Sequence, residues 1–427
     1  MTAADLGHLA LACAALLAAA RLGGHLARRA RQPAVLGELL AGLVIGRTGL
    51  GHLAPGAAAA LFPAAGPVAS GLAALGLGAA VLFLLGAGLE IRLATVRAQG
   101  RAALAIALAG FALPFALGAL AGWTAPAFFD AGPGVGAPAF AIALGAAFAI
   151  SALPVIARTL QDLGLLAKPF GATVMAAAIV QDLAGWLVFA GVLGLGLPVS
   201  GAPGTGAASW TGPAMTLAAT ALLVLFLFTL GRRGFAALVA LIAARAGRGV
   251  PALTIAAVVA ACAVVACATD RLGIHAAVGA LLAGIACGAA PRLDHAQVAA
   301  ASAWAGRWIT PLFFAGIGLR ADFVADGDLA LDAAVIALAC AGKLLGGGLG
   351  ARLSGSPWRE AWAYGAALNA RGAMEIVIAL VALDHHLIGP RLFVALVAMA
   401  LATSLIAGPL LRSLADGRTA DRGPGSA

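Results

Sequence analysis

Two ionisable residues stand in the middle of apolar runs, where a charge is expensive to keep. Asp182 lies in the run from Pro169 to about Gly196. At ~1.5 Å per helical residue, roughly 13 residues on either side put its carboxyl ~20 Å from both ends, near the centre of a ~30 Å hydrocarbon layer. A charge at that depth costs at least ~2.5 to 3.5 kcal/mol, so an intramembrane acid reads first as an ion or proton site and second as a polar strut between helices. Lys343, in ACAGKLLGG, is likewise about 10 residues from either end of its run. A buried ammonium and a buried carboxylate are each costly alone, so the two are expected to pair when no cation is present.

The chemistry this allows is exchange. In a low-dielectric midplane a bare carboxylate favours either a proton or a positive partner. A desolvated alkali cation needs oxygen ligands, which Asp182, Gln181, Ser151, Asn369 or freed backbone carbonyls can supply. Proton and cation then compete for one group. If the protein changes facing only when that group is neutralised, inward and outward fluxes are coupled.

Such a site needs elements that free backbone groups at the midplane. In AISALPVIA, Pro154 falls inside an apolar run, where it removes a helix hydrogen bond and crowds the preceding turn. In LNARGAMEIV, Asn369, Arg371 and Gly372 interrupt another. Apolar runs bounded by charge, Pro or Gly give thirteen candidate spans, starting near residues 5, 33, 69, 101, 138, 169, 212, 250, 273, 303, 330, 360 and 390. The seventh is overlong and contains Arg232 and Arg233, so part of it is expected to end early or lie in the interface.

The spans contain a repeat. GELLAGLVIG (Gly37 to Gly46) returns as GALLAGIACG (Gly279 to Gly288), and LFLLGAGL (Leu82 to Leu89) as LFFAGIGL (Leu312 to Leu319). The offset is seven spans, an odd number, so the copies must have opposite orientations in the membrane. That is the architecture of secondary transporters, with the site at the midplane. The repeats are assigned to residues 5–196 and 250–413, with a linker at 197–249 and a short tail at 414–427. The two interrupted runs fall at matching places in the repeats, as the fifth and twelfth spans.

Composition agrees. The 427 residues are 63% hydrophobic and 10% charged, with mean hydropathy +1.03, which excludes an ordinary soluble domain. The net charge of +9 sits in short loops rather than on a face or tail, so it sets topology and does not indicate nucleic acid. Alternate loops carry Arg28, Arg29 and Arg31, Arg92, Arg97 and Arg101, Arg158 and Lys168, and so on to Arg412. The opposite side holds only Arg47, Arg271, Arg320 and Arg391. The positive-inside rule then places the N-terminus outside and the C-terminus in the cytoplasm of a plasma, or bacterial inner, membrane. The charge order of the first span, Asp5 before and arginines after, is wrong for a cleaved signal. The five cysteines lie in apolar runs without metal-ligand spacing and read as packing.

Over nearly its whole length the chain resembles the monovalent cation:proton antiporter-2 family, which includes plant cation/H+ exchangers, bacterial Na+/H+ antiporters and Kef-type potassium systems. The resemblance rests on RQPAVLGELLAGLVIG, FLLGAGLE, SALPVIARTLQDLGLL, VQDLAGW, PLFFAGIGLRADF, GKLLGG and NARGAMEIV. It implies a sodium/proton antiporter-like all-α fold with two crossed discontinuous helices. Asp182 would be the cation- and proton-binding aspartate, Lys343 its salt-bridge partner, and Pro154 and Arg371 to Gly372 the breaks. Spans 4 to 6 and 11 to 13 would form a core that moves like an elevator past a dimer-forming scaffold, exchanging Na+ or K+ for H+ with no cofactor. Where relatives carry Asp-Asp or Asn-Asp, this chain has Gln181-Asp182, as Kef-like members do, so one carboxylate implies electroneutral exchange. Ala152 replaces a frequent Thr, removing one hydroxyl ligand. With no GxGxxG or Walker A motif, no fused nucleotide-binding regulatory domain is expected.

Other polar residues have plainer readings. Glu38, opening the repeated GELLAG, is either a core-facing support or part of the ion path. Arg371 and Glu375, spaced i,i+4, read as a structural pair holding the broken helix. Asp322, Asp326, Asp328 and Asp332 form an outer loop or a cation-collecting funnel. His385 and His386 read as loop residues or pH sensors, and His275 as a packing residue. The alternative function is a sodium-coupled symporter in which Arg371 receives a small organic anion. A potassium channel lacks its carbonyl filter motif, and an intramembrane enzyme lacks a second catalytic acid or an HExxH pair, so no enzyme activity is expected.

Overall fold

The computed structural model of the chain describes residues 1–30, 32–90, 99–166, 168–194, 222, 225–237, 241, 251–271, 276–288 and 295–420. The described chain is helical. In order the helices are α1 (Ala3–Arg29), α2 (Ala34–Ile45), the short α3 (Leu50–Leu53) and α4 (Pro55–Leu61), α5 (Pro67–Glu90), α6 (Gly100–Thr124), α7 (Ala137–Ala149), α8 (Leu153–Asp162) and α9 (Pro169–Gly194). There follow α10 (Pro251–Arg271), α11 (Ala276–Gly288), α12 (His295–Arg320), α13 (Leu329–Leu353), α14 (Trp358–Leu368), α15 (Ala373–Asp384) and α16 (Pro390–Ala420). Helices are the expected solution, because an apolar run in lipid must satisfy every backbone group within itself. Twelve of the thirteen expected spans are present as single helices or broken pairs. The seventh falls mostly outside the described residues, as does His275. Its described part, 225–237, holds a π-helical turn at Leu227–Gly231 and exposes Arg232 and Arg233.

The helices form two compact units. The first comprises Met1–Ala27, Gly37–Leu93 and Ala190–Arg320. The second comprises Arg28–Leu36, Ala94–Phe189 and Ala321–Ala427. In the first unit the duplicated motifs pack on each other crosswise. Gly42 of α2 lies against Ala315 of α12, and Gly318 of α12 against Leu39 and Leu43. Correspondingly, Gly284 of α11 lies against Leu85 and Gly88 of α5. Each copy of one motif thus meets the opposite copy of the other, the pairing an internal two-fold relation produces.

In the second unit, α13 presents Gly342, Gly346 and Gly350 at four-residue spacing to the α6 backbone. A Cβ at Gly342 would stand 2.7 Å from Pro114 Cα, and one at Gly350 2.7 Å from Ile106 Cα. Small residues at this spacing are what lets helix backbones close together in lipid.

One end of this unit is stitched by side chains. Asp130, in the left-handed region at φ 54°, accepts from the N–H groups of Arg391 (2.9 Å) and Leu392 (3.3 Å), while its carbonyl accepts from Gly389 N–H (2.8 Å). Asp is among the few residues that tolerate that backbone conformation. Asp328 caps α13 through the N–H groups of Ala330 and Leu331 and pairs with Arg391. Those bonds, the Leu331 N–H first, hold its carboxyl below the usual range. Asp322 likewise accepts from Val324 and Ala325 N–H. Of the acidic cluster, Asp322 and Asp328 therefore serve as turn and helix caps, and His386, at φ 55°, turns the chain after α15.

Candidate functional site

The fifth and twelfth spans are both broken. Between α7 and α8, Ile150 (φ −71°, ψ 152°) and Ala152 (φ −91°, ψ 99°) are extended. Pro154 is not the interruption expected from the sequence. It occupies the second position of α8, where a missing N–H costs nothing and the fixed φ favours starting a helix. The break itself is Ile150 to Ala152. In the twelfth span α14 ends at Leu368, Asn369 is its C-cap, and Ala370, Arg371 and Gly372 precede α15. Gly372 is in extended backbone (φ 165°), and a Cβ there would come within 2.9 Å of Val155 Cγ2, so its size, not its φ, suits the crossing.

The two breaks bond to one another. Ala152 N–H donates to Ala370 O (3.1 Å) and Ser151 Oγ to Leu368 O (3.0 Å), while Ser404 Oγ on α16 donates to Arg371 O. The end of α7 leaves carbonyls without helical partners, and a helix C-terminus attracts positive charge. Arg371, fully buried, meets Ala147 O (3.1 Å) and Phe148 O (2.6 Å), adds Ala339 O on α13 (3.2 Å), and pairs with Glu375 (2.8 Å). The expected i,i+4 pair is therefore present, and its arginine caps the first break.

Lys343 serves the same helix end. Its Nζ donates to Ala149 O, to Ser151 Oγ (2.7 Å) and to Gln181 Oε1 (2.8 Å). The direct ion pair expected between Lys343 and Asp182 is thus not formed. An ammonium has three N–H donors, and all three are taken by these acceptors. Asp182 is 1% exposed; no side chain donates to either carboxyl oxygen among the described residues, and the backbone N–H of Ser151 in the first break is the donor that faces it without closing a full hydrogen bond. The centre therefore contains a satisfied buried cation beside an unsatisfied buried acid.

Gln181 connects the two parts. Its Oε1 accepts from Lys343 and shares with Leu368 O the single Ser151 hydroxyl proton (Oγ to Oε1 2.8 Å), and its Nε2 donates to Ala107 O on α6 (3.2 Å). This reach depends on Gly110, where a Cβ would stand 2.5 Å from Nε2. We expect Gly110→Ala to push the amide off Ala107 and slow transport about five-fold, the value of one hydrogen bond of ~1 kcal/mol, without unfolding the protein. An unchanged rate in purified, monodisperse G110A would remove Gln181's anchoring from the site.

Asn369 turns its Nδ2 to Cys340 Sγ (3.4 Å) and leaves Oδ1 unpartnered among the described residues. The second unit thus gathers Asp182, Gln181, Ser151, Lys343, Asn369, Arg371 and Glu375, all at most 1% exposed. Glu38 is buried on α2 in the first unit. Sequence reasoning missed Ser404, although a signal existed. Counting from the starts of α9 and α16, Asp182 and Thr403 hold the same fourteenth position, so Thr403–Ser404 is the polar pair matching Gln181–Asp182 to within one residue.

Comparison with known proteins agrees with this architecture. Residues 13–416 match the family described as sodium/hydrogen exchanger, transmembrane. The chain is 32% identical to cation/H(+) antiporter 18 of Arabidopsis thaliana, over 92% of this chain and 47% of the relative. It is 29% identical to the Na(+)/H(+) antiporter NhaS4 of Synechocystis, over 93% of this chain and 94% of the relative. It is also 29% identical to K(+)/H(+) antiporter 1 of Saccharomyces cerevisiae, over 89% and 43%. The chain spans about half the length of the plant relatives it matches. Among solved structures, the sodium proton antiporter MjNhaP1 of Methanocaldococcus jannaschii superposes with a TM-score of 0.65 over the whole of both chains at 16% identity, which shows a shared fold.

Proposed function

The chain belongs to the sodium/hydrogen exchanger transmembrane family, and on that premise we propose that it exchanges a monovalent cation, Na+ or K+, for H+ by alternating access at Asp182. The observation that carries this reading is the bare, fully buried carboxyl of Asp182 beside two crossed helix breaks. A carboxylate in that setting needs a positive partner, and the ammonium beside it is already satisfied. A proton or an alkali cation fills the need, and one excludes the other. Gln181, Ser151, Asn369 Oδ1 and the break carbonyls are the neutral oxygens available to complete a cation's shell.

We read the exchange as electroneutral. The cluster holds one carboxylate free of a side-chain donor, and we take Asp182 alone to trade one H+ for one monovalent cation, with no net change in the buried cluster's charge. Moving one elementary charge through 100 mV is worth ~2.3 kcal/mol, so an electrogenic cycle would respond strongly to potential. Proteoliposomes given a pH gradient and then Na+, K+, Li+ or Rb+ test the reading. Cation-dependent proton movement is expected, with the same Na+-driven rate at zero and at about −100 mV. No cation response would remove the antiport reading, and a steep voltage response would remove electroneutrality alone.

The sodium-coupled symporter reading needs Arg371 to receive an organic anion. Both Nη groups of Arg371 are already bound to carbonyls and Glu375, which favours antiport. The second unit, with α6 to α9 and α13 to α16, is our candidate for the elevator-like moving part, and the first for a dimer-forming scaffold in the lipid. In the topology that follows from the loop arginines, the C-terminus is cytoplasmic.

A further inference from the structure

The turn of α9 that carries Asp182 ends on a second unsatisfied group of opposite sense. Trp186 is 1% exposed, and its indole N–H has no acceptor among the described residues. It stands four residues after Asp182, so the two side chains share a helix face one turn apart. The turn is held against the first break, because a Cβ at Gly185 would run into the side chain of Ile150. The Trp186 ring is fixed edge-to-face on Phe189, with centroids 6.4 Å apart. An indole can only donate, and the ionised carboxyl can only accept. Buried donors and acceptors are rarely left unmatched, and a buried water needs two to four polar partners, of which this face supplies the Trp186 N–H and a carboxyl that no side chain among the described residues bonds.

We propose that Trp186 is a positioning residue of the ion site, donating its N–H through a shared water to Asp182 and so favouring the carboxylate that carries a cation over the one that carries a proton. This rests on the antiport reading above. The N–H strengthens only the charged form of the acid, which persists when a cation binds and vanishes when a proton does. The other charges in the surroundings are Lys343 on α13, which acts on Asp182, and Arg371 and Glu375 at the second break, which act on Lys343. None of them donates to Asp182.

The test compares wild type with Trp186→Phe and with the isosteric benzothienyl analogue at 186, in which sulfur replaces the N–H and the ring shape is kept. Cation-driven proton exchange is measured in proteoliposomes at mildly acidic and at alkaline pH. Losing a water-mediated bond of ~1 kcal/mol to a charge should raise the apparent KM for the cation about five-fold at acidic pH, where protons compete. The rise should fade at alkaline pH, and the maximal rate should be kept. An equal KM at both pH values, or a loss of maximal rate independent of pH, would overturn the proposal and leave Trp186 a packing residue. If Trp186→Phe misfolds, the analogue decides. Asp182→Asn is run beside them. Should wild type itself show no exchange, the antiport reading fails. Should wild type work and Asp182→Asn not, only the Trp186 proposal is at stake.

Discussion

Asp182→Asn is expected to abolish exchange while making the protein more stable, and the opposite signs are the diagnostic feature. An amide has no proton to trade, so the coupled cycle stops whatever cation is supplied. Cation binding also loses a charge-assisted ligand worth up to about 3 kcal/mol, roughly 100-fold in affinity. Stability should move the other way. No side chain among the described residues bonds either oxygen of this fully buried acid, and a buried charge without a well-bonded partner is a net cost to folding. Replacing it with a neutral side chain of the same size removes that cost. Transport is read in proteoliposomes, and stability by thermal unfolding of the detergent-purified protein at alkaline pH. A variant that still exchanges ends the mechanism argued here. One that is inactive and also less stable would make Asp182 a structural residue.

Much of this centre was legible before any coordinates. Length, hydropathy and loop arginines fix where spans begin, because lipid imposes one solution on an apolar run of about 20 residues. Asp182 was legible for the same reason: a carboxylate at that depth is costly and reads first as an ion or proton site. The pairing of interrupted spans followed from the repeat. The misreadings are local and have a common cause. Pro154 suggests the break because proline breaks helices, but proline starts one as readily, and only the backbone on either side tells which. Lys343 and Asp182 look like partners because charge pairs are counted one to one. The sequence does not advertise the carbonyl of Ala149, which competes for the ammonium only once α7 has ended there. Trp186 was visible inside VQDLAGW, yet an aromatic residue in an apolar helix ordinarily reads as packing. What sets it apart is an N–H without an acceptor among the described residues, which the fold and not the sequence decides.

The largest loss of stability is expected at Arg371. This guanidinium has four acceptors, the carbonyls of Ala147, Phe148 and Ala339 and the carboxylate of Glu375. Two of them, the carbonyls of Ala147 and Phe148, are backbone groups that the helix break leaves without helical partners in a place water does not compensate. Arg371→Ala removes the cap and also strands a buried carboxylate, and breaking a buried ion pair from one side costs about 3 to 5 kcal/mol. The two contributions can be separated. In Arg371→Ala/Glu375→Gln the stranded charge is gone but the carbonyls of α7 are still uncapped, so recovery should be partial, with a coupling energy of about 0.5 to 3 kcal/mol. Arg371→Lys keeps the charge but has only three donors for four acceptors, so it should fall between wild type and Arg371→Ala. Thermal or denaturant unfolding of wild type, Arg371→Ala, Glu375→Gln, the double variant and Arg371→Lys measures the series. If Glu375→Gln restores Arg371→Ala completely, the arginine is only a counter-ion. If the double variant stays well below wild type, capping of the broken helix is its principal work, and the geometry around Asp182 depends on a residue that binds no substrate.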